Sequence, residues 1–387
     1  MKAWREGGCG YNVAQQFRLA SGSPYPQEAL MGLRVIKVVF WGLIAILLGC
    51  GSSSKPPTPQ VTEFALVANL DASSVSTFNV ADTISSLGDV STGACLAPRY
   101  LELHPTNGFL YATCQTSNTV ARFSVDKNAA KLTLMGTPVP AGAAPTTLEF
   151  DPTGRFLYVT NLNGNSLSAY SVGSGGSLTE IAGSPFATGI TPYTVKVSES
   201  GKFVYVANRD SNNVTAFQIE ANTGALTEIA GSPFKTDLGA RAIELSGKFA
   251  FVANRSAANV SVFTVDAATG ALTQVPGSPF STGLDPRAVA ADSSGHFLYV
   301  ANNGDNNVSA YMIDQITGTL MQIAGSPFPA GEAPLAIEID DFAKLMYVPN
   351  SLSKSVTVYS MDSASGRLQK QQTLNTQGFA CSVALVK

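Results

Sequence analysis

Four arginines in this chain are of a type and placement that could hold an anion. Arg241 and Arg287 follow Ala240 and Pro286 at the start of short apolar runs, while Arg209 and Arg255 directly follow Asn208 and Asn254. A guanidinium presents a rigid fork of donors that matches carboxylate and phosphate oxygens. Each charged hydrogen bond contributes about 1.5–3 kcal/mol. Two or three of them reach the roughly 8 kcal/mol of micromolar affinity only with help from packing. Asp210, Asp237 and Asp285 lie close in the sequence, so the alternative is that these acids neutralise the arginines as surface pairs.

A second set comes from alternation. Glu102, Glu149, Lys196, Glu244 and Glu338 share one register with Ala290 and Ala384, and the neighbouring register, from Leu101 to Val383, is apolar throughout. Side chains alternate between the faces of a strand, so the polar register should border a central channel. Four carboxylates there could hold a divalent cation through oxygen ligands. A hydrated ring is the plainer expectation, and no metal or cofactor is assigned. The two histidines, His104 and His296, fall in turns at the opposite end of these runs and are expected to be solvated. No Cys-x-x-Cys or Cys/His spacing suggests zinc.

The elements that must position these groups are repeated. Tyr-Val-x-Asn segments or close variants begin at residues 66, 111, 158, 205, 251, 299 and 347, separated by 45, 47, 47, 46, 48 and 48 residues. A fixed period of that size means one supersecondary unit copied, with no copy able to bury its apolar face alone. Within residues 286–328, four runs of about five residues are bounded by Gly, Asn, Asp or Pro, and the third, Val308–Ile313, alternates apolar and polar. This is the signature of four short strands. Four-stranded sheets repeated radially make a propeller. The fold expected is therefore all-β, a seven-bladed propeller of antiparallel blades over 61–387. The first copy lacks an innermost strand and residues 380–385 supply one, so the C-terminal strand should join blade one and close the ring. Gly-Ser-Pro-Phe recurs after the outermost strand, at 183, 231, 277 and 325. Proline cannot donate to a ladder, so these segments read as strand terminators.

Residues 31–49 read as a bacterial lipoprotein signal: Arg34 and Lys37, an apolar run from Val38 to Leu48, then Leu47-Leu48-Gly49-Cys50. Cys50 is the expected lipidation site, residues 50–60 a flexible tether, and residues 1–30 an over-called extension with Met31 the expected start. The expected location is the bacterial cell envelope, on the periplasmic side or the outer surface, attached to the membrane by lipid. Charged residues make up 13% of the chain and the net charge is −3 with no basic run, which argues against nucleic acid. A monomer is expected. Cys95 and Cys114 should lie on one face of blade two, where a disulfide suits an oxidising compartment. Burial as small apolar side chains is the alternative, with Cys381 left over.

On its Tyr-Val-x-Asn repeats the chain resembles the lactonase-type seven-bladed propellers, which include 6-phosphogluconolactonase-like proteins. The resemblance covers roughly residues 61–387. It implies lactone hydrolysis by a Pro-Arg-His at inner-strand starts and an Asn-Glu after the next strand. Here Pro98-Arg99 and Pro286-Arg287 are followed by Tyr100 and Ala288, and Arg241 by Ala242, with no glutamate after any strand-ending position. A protonated guanidinium is a poor proton shuttle. The expectation drawn from these substitutions is a non-catalytic envelope propeller that binds a partner or small anionic ligand through its arginines. Hydrolysis of a sugar lactone and a passive structural role are the alternatives.

Overall fold

The computed structural model describes residues 64–80, 84–126 and 131–386. The signal, Cys50, the tether and the N-terminal extension lie outside them. Among the described residues every regular element is a β-strand, and no helix is long and apolar enough to cross a membrane.

The strands form seven antiparallel sheets, one per repeat. In blade 4, for example, Pro192–Val197 is innermost, followed outward by Phe203–Asn208, Asn213–Ile219 and Leu226–Glu228. Blade 1 is completed by Ala380–Val386, which pairs with Phe64–Asn69 and closes the ring. The sheet edge that a linear array would leave open is thereby paired. The cores lie between blades. Phe156, Tyr158 and Ile181 of blade 3 pack against Val204, Val206 and Phe217 of blade 4, all of them buried.

The Gly-Ser-Pro-Phe segments do more than terminate strands. Each serine hydroxyl accepts a third-strand N–H, as Ser232 Oγ does from Ala216 at 3.0 Å. Each phenylalanine then opens a two-residue strand that pairs with the near end of the same third strand, Phe234 opposite Val214 in blade 4. The outer edge of the blade is thus shared by two short strands, a fifth element that the repeat pattern did not indicate.

Candidate functional site

The strand-ending asparagine sets the geometry at one end of the ring. Asn208 is buried and its Nδ2 donates to Asn213 Oδ1 and Thr215 Oγ1, both at 2.8 Å, clamping the second strand to the third. Opposite that end each innermost strand carries one extra residue. In blade 4 Pro192 faces Asn208 but Thr194 already faces Ala207; in blade 5 Ala240 faces Asn254 and Ala242 faces Ala253. The same shift occurs at Pro98/Tyr100 and Pro286/Ala288. A bulge of this kind bends the strand and re-aims a side chain. The residue in the bulge is Arg99, Tyr193, Arg241 or Arg287, and each is turned into the mouth of the central channel. Thr146, Leu335 and Cys381 come from the corresponding positions of the other blades, and all seven line a cavity of about 340 Å³.

In this mouth Tyr193 contacts two of the arginines. Arg99 Nη2 donates to its hydroxyl oxygen, and the Arg241 guanidinium stacks 3.8 Å from its ring centroid. Three threonines fix the backbone beneath: Thr146, Thr147 and Thr160 donate to the Tyr193 carbonyl at 3.0, 3.1 and 3.2 Å. Burial acts to raise the phenol's pKa, but the positive charges of Arg241, Arg99, Arg287 and Arg209 outweigh it and hold the group below its ordinary value. Arg241 is 3% exposed and its Nε has no hydrogen-bond partner. Burial lowers its pKa to about 9, helped by the like charges of Arg287 and Arg99. It remains a cation at neutral pH.

The four arginines singled out in the sequence separate into two kinds. Arg241 and Arg287 line the cavity; Arg209 and Arg255 are held by acids at the same end of the ring. Arg209 pairs with Asp210 at 2.7 Å and draws that carboxylate down to about 2. Asp285 bridges Arg255 at 2.7 Å and Arg287 at 2.8 Å. Asp237 instead accepts from Asn259. Among the described residues no carboxylate pairs with Arg99 or Arg241. Tyr193 was missed by sequence reasoning, although Pro192-Tyr193 stands where Pro98-Arg99 and Pro286-Arg287 stand.

Deeper in the same channel, Lys196 lies 3.4 Å from Glu244 and 3.7 Å from Glu149. The cavity reaches Lys196, Glu244 and Glu338. Burial and the neighbouring carboxylates push Glu102 well above the usual carboxylate range. Burial raises Glu149 to about 7, with Lys196 opposing and Glu244 adding to the shift. Among the described residues no group of three or more His, Cys, Asp or Glu is arranged to hold a metal ion.

The cysteines and histidines lie away from this centre, apart from Cys381. Cys95 and Cys114 are joined as a disulfide, and Cys381 is free and buried. One histidine differs from expectation. His104 is buried, bonds Gly154 O through Nε2 at 2.8 Å and packs edge-on against Phe150. Gly154 adopts φ +72° and approaches so closely that a Cβ would lie 2.4 Å from the ring. His296 is exposed, as expected of a turn residue.

The fold is a propeller with a cavity lined by polar groups where its inner strands begin. The Lactonase, 7-bladed beta-propeller family matches residues 62–235 and 228–333, and the chain belongs to that family. Solved structures share the fold at low identity. A candidate 6-phosphogluconolactonase from Bacteroides fragilis is 20% identical with a TM-score of 0.76, covering 86% of this chain and 100% of its own. A second, from Bacteroides uniformis, is 20% identical at 0.75, covering 84% and 100%. The periplasmic gluconolactonase of Pseudomonas aeruginosa is 18% identical at 0.73, covering 84% and 99%. A search of curated protein sequences finds no significant match.

Membership in this family, together with these neighbours, corrects the expectation of a propeller that only binds. The missing Pro-Arg-His and Asn-Glu were the ground for that expectation. The absence of those residues does not outweigh the family match.

Proposed function

We propose that this chain hydrolyses a sugar lactone at the arginine mouth of its central channel. The observation that carries the reading is Arg241, in a member of the Lactonase family: a guanidinium 3% exposed, without a carboxylate partner, with a free Nε, facing a cavity of about 340 Å³. Lactone opening turns a neutral ester into a hydroxy-carboxylate through an anionic tetrahedral intermediate. Fixed cationic donors stabilise charge as it develops in that intermediate and need no reorganisation to do so. Arg241 and Arg99 are suited to this role, with Arg287 tied back to Asp285 at the rim. The neighbours described as 6-phosphogluconolactonases and as a gluconolactonase favour a sugar lactone over other cyclic esters.

The test is hydrolysis of D-glucono-1,5-lactone and of 6-phosphogluconolactone, measured above the rate in buffer. Arg241→Met should lower kcat/KM by about 10- to 100-fold, the equivalent of one charged hydrogen bond. Rates equal to buffer, or an Arg241→Met variant as active as wild type, overturn the proposal. The same reading sets the enzyme in the bacterial envelope, held by an acylated Cys50. Its support is the apolar run ending at Leu47-Leu48-Gly49-Cys50. Cys50→Ser should abolish labelling by a fatty acid and release the protein from membranes.

A further inference from the structure

We infer that Tyr193 is the acid–base residue of the reaction, with Arg99 as the residue that positions and activates it. This rests on the lactonase reading and adds to it a catalyst that the missing histidine and glutamate leave unassigned.

The geometry is specific to this side chain. Of the seven bulge residues, three are arginines, Leu335 is apolar, Thr146 gives its proton to the Tyr193 carbonyl and burial pushes the Cys381 thiol up, which leaves Tyr193 as the group suited to carry a proton. Its hydroxyl oxygen already accepts a hydrogen bond from Arg99, a contact that favours the phenolate over the phenol. The ring is fixed from above by Arg241 at 3.8 Å and its backbone from below by three threonines. The acids at this end of the ring are already engaged: Asp210 by Arg209 and Thr191, and Asp285 by Arg255 and Arg287. The electrostatics agree with the geometry. The surrounding guanidinium groups hold this phenol below its ordinary pKa, whereas burial raises those of Tyr100, Tyr111, Tyr158 and Tyr205.

The steps balance without an added reactant. The Tyr193 phenolate takes a proton from water as the water oxygen bonds to the lactone carbonyl carbon, and the carbonyl π pair moves onto its oxygen beside Arg241. When that pair returns, the bond between the carbonyl carbon and the ring oxygen breaks. The ring oxygen keeps the bonding electrons and takes the proton back from the Tyr193 phenol. One lactone and one water give one hydroxy acid, which loses its acidic proton to solvent.

Tyr193→Phe tests this cleanly, because the ring under Arg241 and the backbone carbonyl are kept. The variant should melt as the wild type does and keep the wild-type KM. Its kcat should fall about 100-fold or more, the usual worth of a general acid–base group. In the wild type, kcat/KM should rise with pH by about tenfold per unit below the phenol's pKa, and the variant should lose that slope. Arg99→Met should move the rise to higher pH. An ultraviolet difference spectrum of wild type minus Tyr193→Phe should show the phenolate forming before any other tyrosine titrates.

Two failures are separable. Wild-type protein without turnover on any lactone overturns the proposed activity and the catalytic role together. Wild-type turnover that Tyr193→Phe retains within about threefold, or a difference spectrum with no early phenolate, overturns only the role of Tyr193 and leaves the lactonase reading standing.

Discussion

A hydroxyl on the second strand of one blade reaches a carbonyl in the next. Tyr205 donates to Gly270 O at 2.8 Å, and Tyr111, Tyr158 and Tyr299 do the same to Gly176, Gly224 and Gly366. The tyrosine of the repeat is therefore both core and staple, its ring buried between blades and its oxygen spanning them. Phe251 fills the equivalent place in blade 5 with the ring alone. Tyr205→Phe keeps the packing and leaves the Gly270 carbonyl without its donor. It should lose about 1–3 kcal/mol in urea unfolding. An unchanged midpoint would mean that water replaces the hydroxyl at no cost.

Within a blade, a loop glycine and the strand-ending asparagine are packed together so closely that no side chain fits between them. A Cβ on Gly189 would lie 2.7 Å from the Asn208 amide carbon, and Gly283 and Gly331 meet Asn302 and Asn350 at 2.8 and 2.7 Å. Blade 2 has Cys95 in place of the glycine and Cys114 in place of the asparagine, and these two positions form the disulfide. The third strand has changed with them. Asn208 and Asn254 donate to Thr215 and Ser261, whereas Ala121 stands at that register in blade 2 and offers no hydroxyl. Reverting the pair with Cys95→Gly and Cys114→Asn should therefore cost about 3 kcal/mol, the entropic worth of a disulfide closing a loop of this size. Adding Ala121→Ser should restore about 1 kcal/mol through the amide's second acceptor. Thermal melts of the wild type, the double and the triple variant order the three. A double variant as stable as the wild type would show that the covalent bond adds nothing to the ring.

At the scale of the whole molecule, closure by residues 380–386 creates a channel that concentrates charge contributed by five blades. Glu149 faces Lys196 and Glu244 across it, and its pKa of about 7 lies above the ordinary 4.5. The folded state thus binds more protons than the unfolded chain between those values, so this group makes stability fall as pH rises through that window. Glu102 and Glu244 are shifted in the same direction by burial and add to the trend. Lys196 is raised above its ordinary 10.5, so its favourable contribution is constant here and is lost only in strong alkali. Denaturant midpoints should decline from about pH 5 to pH 8, and Glu149→Gln should flatten the decline by on the order of 1–3 kcal/mol. A variant that declines as steeply as wild type would locate the proton uptake elsewhere.

Repetition made the architecture legible in the sequence. The spacing of the Tyr-Val-x-Asn segments set the number of blades. The missing first inner strand and the spare last one set the closure, because unpaired strand edges must find each other. Strict alternation also carried Glu102 through Glu338 to the channel. The arginine-lined mouth was not legible by the same means. Arg99 and Glu102 are an odd number of residues apart and should face opposite ways on a regular strand, as should Tyr193 and Lys196. One bulged residue per inner strand cancels that parity and turns Arg99, Tyr193, Arg241 and Arg287 inward. Which arginines stay unneutralised was likewise settled by tertiary structure, since Asp285 reaches two of them across adjoining blades and leaves Arg241 to the tyrosine. Period is a property of the chain, but the direction of a side chain at a bulge and the partner of a charge depend on strands far apart in sequence.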